Sequence, residues 1–263
     1  MKKINRKSNT LKSFPKSWDE IWNSYDRKQY EYQLALEENR VRWQKIQQII
    51  LEKFGSFLGL NCIEIGAGSG HYSMLFTRRG ANVTLLDYSK RALEFSQNVF
   101  RDQGISKNNV QFIHMDALEI NQKLLDKYDV SMSFGVAEHF EGINRRKLIK
   151  SHYDVLKNGG ITFISVPHAN CVPFRIYQFI MRYKKRNIVE CYPYSMREFK
   201  KLATECNIRN YFFIGSSYIE TYNPFSFYKR KKRLMQDITK IKKEKPSFFD
   251  KYLGREIAFV AIK

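Results

Sequence analysis

The stretch E-I-G-A-G-S-G at residues 64–70 decides the fold of this chain. It begins inside a short apolar segment, N-C-I-E-I at residues 61–65, which is typical of a buried β-strand. The glycines allow the backbone to turn tightly and allow a ligand to approach the main chain closely. In open α/β sheets, ligands bind beyond the carboxyl ends of the strands. The stretch therefore predicts a ligand-binding loop between the first strand and the next helix.

The segments that follow alternate between strand and helix patterns. The predicted strands are 61–65, 82–86, 110–114, 129–134 and 161–166, with two later ones at 211–214 and 256–262, and the helices between the first five are 71–79, 89–104 and 145–157. Strands that alternate with helices predict a parallel sheet with helices on both faces. We therefore expect a doubly wound α/β fold.

The same pattern divides the chain into five parts. Before the first strand, apolar residues three or four apart (Trp43, Ile46, Ile50) predict a helix that ends at Gly55. After the fifth strand, prolines and aromatic residues interrupt the alternation. The predicted parts are a flexible basic tail (1–17), a helical cap (18–54), the α/β core (55–166), a lid-like insert with a helix (167–209), and late strands with a basic insertion (210–263).

Composition excludes several classes of protein. The chain has 263 residues, of which 43% are hydrophobic, and this content excludes a disordered protein. None of the four cysteines forms a C-x-x-C pair, so we expect reduced thiols and no metal site. The basic N-terminus is not followed by the apolar run of a signal peptide, and no segment has the length of a membrane span. A soluble, cytoplasmic protein is the expectation.

Positive charge is concentrated in the last third of the chain. The formal net charge is +20, and residues 171–263 hold 21 basic and 8 acidic residues, a net charge of +13. The densest runs are 182–186 and 229–233. Such runs attract phosphorylated substrates, nucleic acid or an anionic membrane surface, although a merely solvated surface is an equal alternative.

The spacing of the glycines separates two kinds of nucleotide site. A dinucleotide fingerprint is G-x-G-x-x-G, but here the third glycine, Gly70, comes one residue early and His71 takes its place. Asp87 ends the second predicted strand, where a carboxylate can accept both ribose hydroxyls. Asp116 ends the third, where a carboxylate can accept from an adenine amino group. These strand ends indicate a nucleoside site and argue against an NAD-dependent oxidoreductase.

These residues resemble the class I S-adenosylmethionine-dependent methyltransferases. The first motif of that family matches 64–70, and its acidic residues match Asp87 and Asp116. The fourth-strand segment 128–140 and the L-K-N-G-G stretch at 156–160 are also similar. The resemblance covers about residues 55–166. It implies a Rossmann-like seven-stranded sheet, mostly parallel with an antiparallel last strand, and S-adenosylmethionine as the cofactor.

The resemblance also implies which residues bind that cofactor. Glu64 would anchor the methionine end, Asp87 would bind the ribose hydroxyls, and Asp116 would read the adenine edge. The remaining implied positions would contribute backbone atoms or a ring face: Gly66, Ala67, Gly68, Gly70, Tyr88, Ala117, Phe134 and Gly135.

Methyl transfer to oxygen often needs a base, and three residues are candidates. His139 and Glu138 follow the fourth strand, and His168 follows the fifth, so all three would project from the ligand-binding edge of the sheet. A loop position without a chemical part is the alternative for each. His114 on a strand and His152 on an apolar helix face are expected to be packing residues.

The acceptor pocket is expected to form from the N-terminal helices and the insert at 167–194. The aromatic side chains of this insert suit an apolar or ring-bearing acceptor, and the basic run beside it suits an acceptor with negative charge. The prediction is a methyltransferase that acts on a small molecule, such as a metabolite, a lipid or a glycan precursor. The alternatives are a methyltransferase for RNA or another nucleic acid, which the basic C-terminal third favours, and a cofactor-binding scaffold without activity.

Overall fold

The computed structural model describes residues 14–23, 25–120, 122–183, 191–223 and 238–263. Most of the predicted basic tail, most of the basic run at 182–186 and the whole run at 229–233 lie outside the described residues.

One sheet of seven strands forms the centre of the molecule. The strands are β1 (Asn61–Ile65), β2 (Asn82–Asp87), β3 (Val110–His114), β4 (Tyr128–Phe134), β5 (Leu156–Pro167), β6 (Tyr211–Ser216) and β7 (Glu256–Ile262). Their order is β3-β2-β1-β4-β5-β7-β6, and β7 pairs antiparallel with both of its neighbours. The predicted Rossmann-like fold is confirmed. The strand order changes direction between β1 and β4, so the crevice for a ligand opens at the carboxyl ends of these two strands.

Ten helices surround the sheet in the described part of the chain. They are α1 (Phe14–Asn23), α2 (Arg27–Asn39), α3 (Val41–Phe54), α4 (His71–Thr77), α5 (Lys90–Asp102), α6 (Ile143–Asp154), α7 (Val172–Tyr183), α8 (Met196–Glu205), α9 (Tyr218–Tyr222) and α10 (Asp250–Leu253). Local signals place their ends: Ser89 caps α5 and Ser195 caps α8 by accepting backbone N–H bonds, and Gly55 ends α3 with φ of 74°.

Two apolar clusters hold the helices against the sheet. Trp43, Ile46 and Ile50 of α3 are buried, as predicted, in the cluster that also covers α4 and α5. The second cluster packs α6 and α8 against the other side, through residues such as Leu148 and Phe199. Because both faces of the sheet are covered, the ligand crevice is confined to the sheet's edge.

The boundary between α6 and β5 differs from the prediction. The helix ends at Asp154, not near 157, and β5 already begins at Leu156. The pairing of β4 with β5 is irregular between Tyr128 and Val130. Gly159 and Gly160 exchange backbone hydrogen bonds with Lys263. The backbone N–H and C=O groups of this segment are therefore paired within the sheet and not within the helix. The two glycines therefore lie inside an irregular strand and do not terminate the helix.

Candidate active site

A cavity of about 960 Å³ opens at the carboxyl ends of the parallel strands. The structure brings most of the predicted site residues to its wall: Glu64, Gly66, Ala67, Gly68, Asp87, Tyr88, Asp116, Ala117, Phe134, Gly135, Glu138 and His139. Helix α1 covers part of this cavity with Trp18 and Trp22. A single cavity therefore contains both the predicted nucleoside site and two of the candidate bases.

The glycine loop has the shape that a close ligand requires. Gly66 and Gly68 have φ of 69° and 54°, a region that other residues rarely adopt. A Cβ on Gly66 would lie 2.7 Å from the Val136 side chain, and one on Gly68 would lie 2.7 Å from the Trp22 ring. The backbone N–H groups of Gly66 and Ala67 donate to the Leu86 carbonyl at 2.8 and 3.0 Å, which ties the loop to β2. The loop thus fits the methionine part of S-adenosylmethionine.

Gly70, predicted to bind the cofactor, does not line the cavity. A Cβ at this position would collide with Leu85 and would lie 3.2 Å from the Phe100 ring. The residue therefore faces the core, where its small size lets the start of α4 pack against β2 and α5.

Asp87 connects the glycine loop to the second strand. Its Oδ2 accepts from the Gly68 N–H at 2.7 Å, and its Oδ1 accepts from the Ser89 N–H at 2.8 Å. Burial raises the pKa of this carboxyl group. Each oxygen retains further acceptor capacity, so the side chain fits the two hydroxyls of a ribose.

Asp116, Tyr88 and Ala117, predicted to contact the adenine, line the same cavity. The Oδ1 of Asp116 accepts from the Leu118 N–H at 2.8 Å, and this contact shapes the turn after β3. The second carboxylate oxygen makes the residue suited to an adenine amino group. Asp116 thus has a turn-forming contact together with a position on the cavity wall.

Glu64 is buried at the base of the cavity and is held by α4. Its Oε2 accepts from the Ser73 N–H at 2.9 Å and from the Ser73 hydroxyl at 2.6 Å. Burial raises the pKa of Glu64 to about 7. A cationic group in the cavity would favour its ionised form, so the residue fits the ammonium-bearing end of the cofactor.

Another part of the cavity wall is built around Arg42 from side chains that are distant in sequence. Arg42 donates to Glu37 at 2.7 Å, to Ser165 at 3.0 Å and to the Tyr72 hydroxyl at 2.6 Å. It also forms an ion pair with Glu256 at 2.9 Å. This buried network connects α2 and α3 to β5 and β7.

The charges of this network compensate each other. Burial alone would raise the pKa of Glu37, but Arg40 and Arg42 lower it to about 2. The pKa of Glu256 is lowered by the same two arginines against the effect of burial. Both carboxylates are therefore ionised at neutral pH, and the sequence contained no short motif that could have identified them.

Glu138 and His139 lie on a short 3₁₀ helix, Ala137–His139, directly after β4. Glu138 is 5% exposed, and among the described residues its Oε2 has no hydrogen-bond partner. Burial raises the pKa of Glu138 to about 8, so it is protonated at neutral pH. His139 is less buried and contacts Trp18 edge to face, with ring centroids 5.0 Å apart.

His168 is fully buried and does not line the cavity. Its N–H donates to the Arg255 carbonyl at 2.9 Å, and the residue forms a bridge with Tyr194, so the backbone carries it into the interior. The structure does not support the predicted catalytic role of His168.

The predicted aromatic lid separates into three groups. Phe174 and Tyr192 line the cavity. Tyr194 is a core residue whose hydroxyl donates to the Ala137 carbonyl at 3.0 Å. Phe179 and Tyr183 face solvent. Only a small part of the insert thus contributes to the pocket, and α1 contributes Trp18 and Trp22, which are spaced as one helix face.

Comparisons with known proteins indicate the class of protein. Residues 62–160 match the family described as "Methyltransferase domain". A ubiquinone biosynthesis O-methyltransferase from Leptothrix cholodnii is 27% identical over 131 residues, which cover 50% of this chain and 52% of that protein. Its counterpart from Pseudomonas entomophila is 22% identical over 71% of this chain and 76% of its own length. Most of the curated relatives are matched over about half of their length.

Solved structures show the same fold at low identity. Magnesium protoporphyrin IX methyltransferase from Synechocystis, with bound S-adenosylhomocysteine, has a TM-score of 0.59 and 13% identity, and the alignment covers 95% of this chain and 96% of that one. Geranyl diphosphate C-methyltransferase from Streptomyces coelicolor has a TM-score of 0.54 and 18% identity, with coverage of 84% and 79%.

The family match over residues 62–160 and the fold identify this part of the chain as a class I S-adenosylmethionine-dependent methyltransferase domain. The cofactor of this class is S-adenosylmethionine, which fits the glycine loop, Asp87 and Glu64. When bound, it supplies a methyl group on a cationic sulfur.

Proposed function

We propose that the protein transfers a methyl group from S-adenosylmethionine to a hydroxyl group on an aromatic ring of a small molecule. The observation that carries the proposal is the shared cavity: Glu138 and His139 lie on the same wall as the glycine loop and Asp87. The O-methyltransferase relatives favour oxygen as the methylated atom.

The acceptor end of the cavity supports a ring-bearing, anionic molecule. Phe174 and Tyr192 supply aromatic surface, and Arg255 lies on the same wall. An aromatic acceptor gains from ring contacts, and a carboxylate or phosphate substituent gains from a guanidinium group. The acceptor class is therefore a hydroxylated aromatic acid or a similar molecule.

The residues of the chain align the reactants and handle the proton. Methyl transfer is a displacement that depends on alignment and on exclusion of water, and the covering tryptophans Trp18 and Trp22 serve the second requirement. His139 accepts the proton of the acceptor hydroxyl in this proposal. Glu138, protonated at neutral pH, donates a hydrogen bond to the acceptor.

The test uses methyl-labelled S-adenosylmethionine with three acceptors: hydroxybenzoates, the matching aminobenzoates and mixed RNA. We expect label in the hydroxybenzoates, and His139→Ala should reduce turnover by roughly 10²–10⁴-fold with unchanged binding of S-adenosylhomocysteine. Asn144→Ala, on the same cavity wall, is the control for a polar side chain without proton transfer. Label only in the aminobenzoates or only in RNA would refute the proposed acceptor class, and unchanged turnover of His139→Ala would refute the proposed base.

A further inference from the structure

Helix α7 turns an apolar face towards solvent. The exposed residues Val172, Ile176, Phe179, Ile180 and Tyr183 are spaced three or four apart, so they share one side of the helix. Phe179 is 73% exposed and Tyr183 is 82% exposed. An amphipathic helix of a globular protein normally buries its apolar side, so this arrangement indicates an interaction surface.

The opposite side of α7 holds the helix in place. Phe174 lines the cavity, and the Gln178 amide donates to the Cys191 carbonyl at 3.0 Å. The outward orientation of the apolar face of α7 (residues 172, 176, 179, 180 and 183) is thus fixed by contacts on its inner side.

A series of aromatic contacts connects the start of α7 to a second group of exposed rings. The Val172 N–H donates to the Tyr222 hydroxyl of α9 at 3.3 Å. The half-buried Tyr222 ring lies 4.6 Å from the Tyr218 ring, which lies 5.2 Å from the Phe249 ring. Phe248 and Phe249, just before α10, are exposed.

Exposed basic residues occur in the same two segments of the chain. Arg175 is exposed on α7 itself, and Lys242, Lys243 and Lys245 are exposed just before Phe248. The chain as a whole has a formal net charge of +20. Such a surface is complementary to an anionic partner, and a second copy of the same chain would bring like charge against it.

We propose that the apolar face of α7 docks the protein onto an anionic lipid bilayer. The helix lies in the interface with Phe179, Ile180 and Tyr183 among the acyl chains, while the neighbouring cations contact the headgroups. No helix of the described residues is long and apolar enough to cross a membrane, so the helix lies on the bilayer. Docking does not depend on the proposed acceptor, although it would place Phe174, and with it the cavity, beside the bilayer.

The experiment is co-sedimentation with vesicles of phosphatidylcholine, with and without phosphatidylglycerol. The full chain should bind the vesicles that contain phosphatidylglycerol, and added salt should weaken binding. The double variant Phe179→Ser with Ile180→Ser should bind at least about tenfold more weakly than the wild-type chain, because two large apolar side chains no longer enter the bilayer. Leu58→Ser is the matched control, since Leu58 is 76% exposed. It precedes β1 and so lies at the amino end of that strand, away from the cavity.

Thermal melts and S-adenosylhomocysteine binding of the double variant establish that it is folded. Absence of binding by the wild-type chain, or equal binding by the double variant, would overturn the proposal. Light scattering adds a third arm: a wild-type dimer that the double substitution dissociates would show that a second copy covers this face, and would also overturn it.

Discussion

Two parts of the cavity wall are assembled in different ways. Around the glycine loop, the key carboxylates contact groups that are close in sequence: Asp87 and Gly68 are 19 residues apart, and Glu64 and Ser73 are 9 apart. In the network around Arg42, Arg40 and Glu256 are 216 residues apart, and Arg42 and Ser165 are 123 apart. The first part is therefore specified by short motifs, whereas the Arg42 network depends on how the whole chain folds.

The buried carboxyl groups of the cavity wall also differ in their electrostatics. In the network around Arg42, Glu37 and Glu256 are ionised beside two arginines. Glu64 and Glu138, in contrast, have pKa values that burial raises to about 7 and about 8. Paired charges stabilise the fold around the site, while the carboxyl groups with raised pKa values are available for ligand chemistry.

The strongest test concerns the cofactor end. Asp87→Ala removes a carboxylate that can make two charge-assisted hydrogen bonds to a ribose, each worth about 1.5–3 kcal/mol, so affinity for S-adenosylhomocysteine should fall at least roughly a hundredfold. Isothermal titration calorimetry measures the change. Asp102→Ala, in a half-exposed ion pair with Arg27, is the control and should leave affinity unchanged. An unchanged affinity of Asp87→Ala would remove the ribose assignment.

A second test breaks the network around Arg42. Arg42→Met leaves Glu37 and Glu256 buried without their shared partner, which should lower the free energy of unfolding by about 3–5 kcal/mol. Urea denaturation measures the loss. Arg27→Met, which breaks a partly exposed ion pair, should cost at most about 1 kcal/mol. If the two variants lose equal stability, the network does not connect the distant segments in the way described.

The smallest expected effect is the pH dependence that Glu138 contributes to stability. The folded protein keeps this carboxyl protonated up to about pH 8, whereas the ordinary pKa is 4.5. Between these values the folded state binds more protons than the unfolded state, so this group makes stability fall as pH rises.

Glu138→Gln removes that contribution. Relative to wild type, the variant should gain roughly 1–3 kcal/mol of stability between about pH 5 and about pH 8. Urea denaturation across this range measures the difference, with Glu141→Gln as an exposed control on the same segment. A difference that stays constant with pH would show that Glu138 is ionised in the folded protein.

Much of the fold could be predicted because its signals are local. Glycines, capping serines and apolar periodicity located the seven strands and most helices, and Asp87 and Asp116 followed from their positions at strand ends. The failures have physical reasons. The helix predicted over 145–157 ends at Asp154, and hydrogen bonds with the distant Lys263 hold Gly159 and Gly160 in a strand. His168 followed a strand as expected, yet the bridge to Tyr194 carries it into the core.

The sequence by itself determined the class of fold and the cofactor end, because backbone turns and strand ends depend on neighbouring residues. Only the tertiary structure decided the network around Arg42 and the outward face of α7. Packing between segments far apart in the chain brings Arg42 to Glu256, and contacts on the inner side of α7 determine which side of that helix remains exposed. Such pairings leave no pattern within any short window of sequence.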